Sequence, residues 1–249
     1  MEDMIKRLNK LSTFIRLKVD SHLPRHCLLC LDTGQTTSIC SACRDDFPST
    51  VNGCEICGQS IKTQLYSTQR NQICGHCLTR PPAFSKAVFA FDYRFPLPSI
   101  IRQLKYHERG YWAKPLAQAA YSHFQQAFSQ LNQAVLVPVP MHSSQYYSRR
   151  DNHAQLLAKH LALYSGFPVN TKLVAKTRAT PRQAELTAKM RRRNVRNSFA
   201  INMTPPESPI IIIDDVMTTG STIDAIAVQL LKAGATEVFG FSVARRSVE

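Results

Sequence analysis

The sequence contains no apolar run long enough to cross a bilayer, which takes about 20 residues. Its longest runs, residues 134–139 and 210–213, are far shorter. The first twenty residues mix basic with apolar side chains and lack a secretory apolar core. They predict an amphipathic helix within 1–24, either docked on the protein or contacting a membrane or partner. We therefore expect a cytoplasmic protein without a transmembrane segment.

Acidic residues are scarce, since 17 Asp and Glu stand against 31 Lys and Arg, for a formal charge of +14 in 249 residues. If the eight cysteines are thiolates that hold two zinc ions, the formal charge falls from +14 to about +10, so most of the positive excess remains. Such a charge favours polyanionic partners, which include nucleic acids and small phosphorylated molecules. The 44% hydrophobic content is that of an ordinary globular protein and argues against disorder.

No cysteine stands outside a C-x-x-C pair. Such a pair directs two sulfurs at one ion, and two pairs complete the tetrahedral shell that zinc prefers. Closed four-cysteine shells leave no open position, so the sequence predicts two structural zinc ions. A disulfide framework is disfavoured because no secretion signal is recognisable. The predicted ligands are Cys27, Cys30, Cys40, Cys43, Cys54, Cys57, Cys74 and Cys77.

Spacing alone does not determine which pairs share an ion. Pairing consecutive knuckles, residues 27–43 on one ion and 54–77 on the other, closes the shorter loops. A cross-braced arrangement, first knuckle with third and second with fourth, is the alternative. The cysteine-rich segment ends before Pro81 and Pro82. We therefore predict a double zinc-binding module over 25–80 and a main domain over 83–249.

Strand and helix patterns alternate through the main domain. This order predicts an α/β fold with a parallel sheet flanked by helices. The predicted strands are 86–93, 134–139, 172–176, 210–214 and 238–244. The predicted helices are 97–107, 115–128, 152–164, 187–197 and 222–233.

Residues 210–222, IIIIDDVMTTGST, carry the clearest chemistry. Four isoleucines suit a strand that is covered on both faces, and ligands bind beyond the carboxyl ends of such strands. Asp214 and Asp215 arrive at that edge and can accept hydrogen bonds from two vicinal hydroxyls. The segment that follows offers hydroxyls and the start of a helix, which favour phosphate. Its residues are Met217, Thr218, Thr219, Gly220, Ser221 and Thr222.

Three other interpretations of this segment compete with a sugar-phosphate site. The magnesium-binding strand of P-loop nucleotidases also ends in acids, but the sequence contains no G-x-x-x-x-G-K-[ST] motif. A phospho-acceptor pocket has paired acids but does not need the TTGST that follows. A core strand followed by a capped helix without a ligand is the purely structural alternative. A sugar phosphate explains both the acids and the loop.

Residues 210–222 match the signature of type I phosphoribosyltransferases, and the zinc knuckles with the rest of the chain resemble the ComF/GntX family of competence-associated proteins. The VPVP segment 137–140 belongs to the same pattern. Segment 149–153 reads RRDNH where the family usually shows RGFNQ, so only Arg149 and Asn152 match there. Other matching positions are Arg178, Gln183, Leu186, Arg193, Asn194 and Phe199.

The resemblance implies a phosphoribosyltransferase-like fold that binds phosphoribosyl pyrophosphate with Mg²⁺. It implies that Asp214 and Asp215 contact the ribose hydroxyls and that residues 218–222 hold the 5-phosphate. Lys176 and Arg178 begin a segment, KTRATPRQ, that resembles the catalytic loop of related enzymes, and both are expected to be catalytic together with the acidic pair. Lys105 matches a family lysine, with an exposed surface lysine as the alternative. The pyrophosphate loop would contain Pro140, Met141, His142 and Arg149.

Pyrophosphate departure leaves positive charge on the sugar and negative charge on the leaving group, which magnesium and basic side chains stabilise. The sequence therefore leans towards a pyrophosphate-releasing phosphoribosyltransferase. It shows no recognisable pocket for a nucleophile and no general base. Binding is accordingly better supported than turnover.

A nucleic-acid role is the second expectation. Nine basic residues and one acid lie between residues 172 and 196, a concentrated positive charge. The resemblance to competence proteins implies handling of incoming single-stranded DNA beside DNA-uptake proteins. An active enzyme of nucleotide metabolism without a DNA role is the alternative. The residues expected to contact DNA are Arg191, Arg192, Arg193 and Arg196.

Overall fold

The computed structural model describes residues 26–49, 53–61, 72–106, 110–142, 151–178 and 198–246. The chain divides into two compact units, Met1–Asp46 and Phe47–Glu249. The predicted helices within 1–24 and over 187–197 lie outside the described residues. None of the helices in these ranges has the length and apolar character needed to span a bilayer.

The described part of the smaller unit, residues 26–46, is one zinc knuckle pair. His26 and Thr33 form an isolated antiparallel bridge. Helix α1, Ser41–Asp45, begins after Cys40, whose side chain accepts a hydrogen bond from the Cys43 amide. A C-x-x-C pair thus lies at the start of this short helix.

The larger unit contains most of the regular structure. Its elements are α2 (Gly75–Thr79), β1 (Lys86–Asp92), α3 (Leu97–Tyr106), α4 (Ala113–Phe128), β2 (Val135–Pro138), α5 (His153–Ser165), β3 (Val174–Lys176), β4 (Phe199–Ile201), β5 (Ile210–Met217), α6 (Ser221–Lys232) and β6 (Val238–Arg245). Strands β1, β6, β5 and β2 form one sheet in that order, and every neighbouring pair is parallel. This confirms the predicted α/β fold with a parallel sheet and flanking helices.

Strand β3 corrects one part of that prediction. We expected residues 172–176 to join the parallel sheet, but Val174–Lys176 pairs antiparallel with β4 in a separate two-stranded sheet. Residues 168–170 lie beside β2 instead. Their backbone forms hydrogen bonds to Leu136, which give an isolated parallel bridge between Leu136 and Val169. Strand-forming composition predicts an extended segment but not its partner.

Strand β5 lies at the centre of the core. Its four isoleucines, residues 210–213, are fully buried. Ile210 and Ile212 pack in a cluster with Ile226 and Leu230 of α6. Because side chains alternate along a strand, the other two isoleucines point to the opposite face. Burial of each isoleucine contributes roughly 2 kcal/mol, so β5 is held firmly up to its acidic end.

The second cysteine group is part of the larger unit. The Ala87 amide of β1 donates to the Ile56 carbonyl at 2.7 Å. Gly58, which follows Cys57, has φ of +67° and packs directly on β1. A Cβ at Gly58 would lie only 2.4 Å from the ring of Phe89, so no side chain fits there. The predicted 25–80 module therefore spans the two compact units. Its folding as one module remains a prediction.

Candidate functional site

The acidic pair lies at the carboxyl end of β5, where the parallel sheet exposes its ligand-binding edge. Asp215 is 7% exposed, and Asp214 is partly buried. The Asp215 amide donates a hydrogen bond to Asp214 Oδ1 at 2.9 Å. Strand β5 continues to Met217, three residues beyond the predicted end, because β6 pairs with it as far as Arg245. Strand β6 thus holds the acids in regular sheet, whereas the ladder with β2 ends just before them, at Ile213.

Lys105 forms an ion pair with this site. Its Nζ lies 2.8 Å from Asp215 Oδ2, and the side chains are 25% and 10% exposed. Helix α3 brings the lysine to the site from a position 110 residues earlier in the chain. The alternative of an exposed surface lysine is wrong. The sequence alone does not identify this ion pair, because the two residues are distant in the chain.

Asp214 has an unusual proton affinity. Burial and the neighbouring charge of Asp215 raise the pKa of Asp214 to about 7. Lys105, the Asp215 amide and Lys176 act in the opposite direction. Two adjacent carboxylates cannot easily both ionise in a partly dry site. The pair is therefore suited to bind hydroxyl donors or a cation, either of which would stabilise its charge.

The segment Thr218–Thr222, which we call the TTGST loop, joins β5 to α6 and includes the first two residues of that helix. Gly220 has φ of +76°, a left-handed conformation that favours glycine, and it precedes the first helical residue. The Thr219 hydroxyl donates to Ser221 Oγ at 2.9 Å. The first N–H groups of α6 have no carbonyl partner within the helix, and its dipole favours an anion there. The loop has the features of a phosphate site.

The end of β2 lies beside the same edge. The Val139 amide donates to the Ile213 carbonyl at 2.9 Å, so the chain runs along β5 until just before Asp214. Pro140, Met141 and His142 follow and are partly buried. Arg149, the fourth residue predicted for the pyrophosphate loop, lies outside the described residues.

Asn152 closes the other end of that loop. Its Nδ2 donates to the Val139 carbonyl at 2.9 Å, and its Oδ1 accepts from the Gln155 amide as the N-cap of α5. One side chain thus ties the start of α5 to the end of β2. The sequence marked Asn152 as a family match but gave it no role.

Lys176 and Arg178 follow β3. The charge of Lys176 acts on the pKa of Asp214, so the lysine lies close enough to influence the acidic pair. Arg178 is exposed and ends a described range. The basic residues predicted to contact DNA, Arg191, Arg192, Arg193 and Arg196, lie outside the described residues.

The cysteines form two groups, and the sulfurs within each lie within 4.8 Å of one another. The first zinc centre contains Cys27, Cys30, Cys40 and Cys43, and the second contains Cys54, Cys57, Cys74 and Cys77. Consecutive knuckles therefore share a site, and the cross-braced alternative is wrong. All eight cysteines are free, so no disulfide competes with this grouping.

The sulfur geometry fits zinc. Sulfurs about 2.3 Å from a central ion are separated by about 3.8 Å in a tetrahedron. The Cys30–Cys40 and Cys57–Cys74 sulfur separations are both 3.8 Å. Backbone amides also point at the sulfurs, as in the donation from Cys74 to Cys54 Sγ at 3.3 Å. Both centres are compatible with structural zinc.

Comparisons with known proteins agree with these features. The model of the double zinc ribbon domain family matches residues 19–78. A protein called DNA utilization protein YhgH in Salmonella typhimurium is 32% identical over 203 residues, which are 80% of this chain and 87% of the relative. Competence protein F of Haemophilus influenzae is 31% identical over 214 residues, 83% of this chain and 90% of the relative. The chain belongs to the ComF/GntX family.

This ComF/GntX family member is also distantly similar to solved structures. A purine phosphoribosyltransferase from Pyrococcus horikoshii covers 54% of the chain and 83% of its own length, with 15% identity and a TM-score of 0.34. A hypoxanthine phosphoribosyltransferase from Staphylococcus aureus covers 55% of the chain and 67% of its own length, with 10% identity and a TM-score of 0.34. Such low scores add nothing to the family assignment, which rests on the sequence relatives.

Proposed function

We propose that this protein binds phosphoribosyl pyrophosphate together with Mg²⁺ at the acidic pair and the TTGST loop. The observation that carries the proposal is the direct succession of Asp214, Asp215, a left-handed Gly220 and the start of α6. Carboxylates accept hydrogen bonds from sugar hydroxyls, whereas a helix start attracts phosphate. A 5-phosphoribosyl group needs both kinds of partner a few ångströms apart.

The remaining predicted residues would bind the rest of the ligand. Pro140, Met141, His142 and Arg149 are the proposed pyrophosphate loop, since the first three follow β2 at the same sheet edge. Lys176 and Arg178 are proposed to stabilise the departing pyrophosphate. Carboxylate and phosphate oxygens are the ligands that Mg²⁺ prefers, and the ion would neutralise charge on the leaving group.

The binding proposal can be tested by calorimetric titration with phosphoribosyl pyrophosphate and Mg²⁺. Asp215→Asn keeps the size of the side chain but removes its charge and its pairing with Lys105. We expect it to lower the affinity at least about tenfold, the loss of one charge-assisted hydrogen bond. Asp45→Asn, at an aspartate whose side chain is 73% exposed, is the matched control. Equal affinity of all three proteins would refute the proposed site.

Turnover is a separate part of the proposal. We favour a pyrophosphate-releasing phosphoribosyltransferase, because basic side chains and acids converge on one sheet edge. Pyrophosphate release should be measured with a panel of bases and amines and should require Asp215. A preparation that binds the ligand tightly but never releases pyrophosphate would exclude the enzyme and leave ligand-dependent regulation.

We also propose a role in the use of incoming single-stranded DNA. The support is the excess of positive charge and the printed names of the relatives, which refer to DNA utilization and competence. The proposed contacts are Arg191, Arg192, Arg193 and Arg196. Such a role also implies a cytoplasmic location and contact with DNA-uptake proteins. An enzyme of nucleotide metabolism without a DNA role is the alternative.

The DNA proposal predicts binding that weakens steeply with salt, because each phosphate contact releases a counterion. Replacing Arg191, Arg192 and Arg193 by Ala should reduce the slope of log K against log salt by about 2, since each contact to a single strand contributes about 0.7. A triple variant of the exposed residues Arg44, Lys159 and Lys232 removes the same charge and is the control. Equal slopes for both triple variants would refute these contacts.

A further inference from the structure

The last residue of β6 is a buried arginine. Arg245 is 3% exposed, although it carries a charge that is costly to remove from water. No carboxylate among the described residues forms an ion pair with it. Its Nε and Nη1 are buried and find no hydrogen-bond partner in the described ranges. Within the described part of the chain, something other than an acid must therefore offset this charge.

The side chain of Arg245 lies against the second zinc centre. Its Nη2 lies 4.0 Å from Cys57 Sγ and donates to Gln59 Oε1 at 2.9 Å, two residues further along. The guanidinium also lies over Phe89, with Cζ 6.0 Å from the ring centroid. Four thiolates around one Zn²⁺ carry a net charge of about −2. The four cysteines of the second zinc centre, holding a zinc ion, would supply the missing negative charge.

We propose that Arg245 is a positioning residue that balances the charge of the second zinc centre and couples this centre to the TTGST loop. Groups just outside the ligands of a metal orient and stabilise those ligands, and their loss typically lowers metal affinity. The Arg245 guanidinium would stabilise the cysteine ligands from β6 of the parallel sheet, outside the cysteine-containing segment 54–77. The second zinc centre is consequently a structural part of the α/β domain.

The coupling runs through the last pair of residues in the β5–β6 ladder. Arg245 is the register partner of Met217, which directly precedes the loop. The next amide, that of Arg246, donates to the Met217 carbonyl at 2.9 Å. Met217 is 2% exposed, and its sulfur lies 3.7 Å from the position of a Cβ on Gly220. A shift of Arg245 would therefore reach the start of the loop.

The first zinc centre provides an internal comparison. It belongs to the compact unit Met1–Asp46, whereas Arg245 and the second centre belong to the larger unit. Arg245 should therefore affect zinc retention at the second centre only. Cysteine alkylation followed by peptide mass spectrometry distinguishes the two, because released thiols at Cys54 and Cys57 are modified separately from those at Cys27 and Cys30.

The test compares Arg245→Met with Arg246→Met, which removes an adjacent but exposed charge. Each zinc-loaded protein is challenged with increasing chelator. We expect Arg245→Met to lose zinc from the second centre at about 10- to 100-fold lower chelator concentration. It should keep zinc at the first centre, and Arg246→Met should behave as wild type. Hydrogen exchange across 210–222 should rise in Arg245→Met alone.

Arg245→Lys separates charge from structure and serves if Arg245→Met does not fold. It keeps the positive charge but loses the planar donors, so zinc retention at the second centre should be intermediate. The proposal would be overturned if Arg245→Met retained both zinc ions as wild type does and showed unchanged hydrogen exchange. If Arg245→Met does not fold, unchanged zinc retention in Arg245→Lys would overturn it. Zinc retention and hydrogen exchange are both measured without phosphoribosyl pyrophosphate. The outcome of this test is therefore independent of the proposed function.

Discussion

Lys105 Nζ lies 2.8 Å from Asp215 Oδ2, and this ion pair joins helix α3 to the acidic end of β5. The lysine places a positive charge beside two carboxylates that would otherwise repel a polyanionic ligand. In the proposed complex, Lys105 would thus make the acidic site compatible with a pyrophosphate ester. The relationship also leads to the first prediction.

Lys105→Met should lower the affinity for phosphoribosyl pyrophosphate by about tenfold, the value of one charge-assisted contact. It should also increase the Mg²⁺ concentration required for binding, because the metal must then supply the missing positive charge. Titration calorimetry at several Mg²⁺ concentrations measures both effects. Arg102→Met removes an exposed charge from the same helix and should change neither. Similar losses in the two variants would point to general electrostatics instead.

Gly220→Ala tests the geometry of the TTGST loop. Alanine disfavours φ of +76°, so the substitution should destabilise the protein by about 1 kcal/mol and displace the amides at the start of α6. Gly166→Ala is a matched control, since Gly166 also has φ of +76° but ends α5 with open space around it. Thermal unfolding should show similar losses of stability.

Ligand affinity should separate the two glycine variants. We expect Gly220→Ala to bind phosphoribosyl pyrophosphate more than about tenfold more weakly, because several loop donors shift together. Gly166→Ala should bind as wild type. If both bind normally, the TTGST loop does not hold the phosphate.

Removal of the first zinc centre and removal of the second should affect the stability of the larger unit differently. Wild-type protein should contain two zinc ions, measured by elemental analysis. Cys27→Ser with Cys30→Ser should remove one ion and leave the melting transition of the larger unit in place. Cys54→Ser with Cys57→Ser should remove the other ion and destabilise that unit, because both cysteines belong to its hydrophobic core. Equal effects on the melting transition would contradict the assignment of the second centre to this unit.

Asp214→Asn should stabilise the protein at neutral and higher pH. The folded pKa of about 7 exceeds the ordinary value of 3.8, so between these values the folded state binds more protons than the unfolded state. Ionisation of Asp214 therefore lowers the free energy of unfolding as pH rises through this window, and the loss is complete above about pH 7. The variant has no charge to bury and therefore escapes this loss, which is at most about 4 kcal/mol for a shift of this size.

Denaturant unfolding at pH 4 and pH 8 measures this effect. The gain from Asp214→Asn should be small at pH 4 and reach its maximum at pH 8. Asp45→Asn, at an exposed aspartate, should alter the free energy of unfolding by less than about 0.5 kcal/mol. A gain that is larger at pH 4 would mean that folding does not raise the pKa of Asp214.

Short sequence patterns predict much of the fold. Four isoleucines followed by two acids predict a buried strand with an acidic pair near its carboxyl end, because burial on both faces demands an unbroken apolar run. C-x-x-C spacing predicts groups of four cysteines, since one knuckle already places two sulfurs around a common point. Both signals lie within a few neighbouring residues, where sequence determines geometry most directly.

Contacts between distant segments could not be predicted in the same way. The Lys105–Asp215 pair and the position of Arg245 beside Cys57 join residues more than a hundred positions apart. Nothing in the composition around Lys105 distinguishes it from a surface lysine. The antiparallel pairing of β3 with β4 was missed for the same reason, because a three-residue strand has no signal for its partner.

A crystal structure of the protein with phosphoribosyl pyrophosphate and Mg²⁺ would test the central claim most directly. We predict the 5-phosphate at the TTGST loop and the start of α6, with the ribose hydroxyls on Asp214 and Asp215. A ligand bound elsewhere on the protein, or none at saturating concentration, would contradict the account.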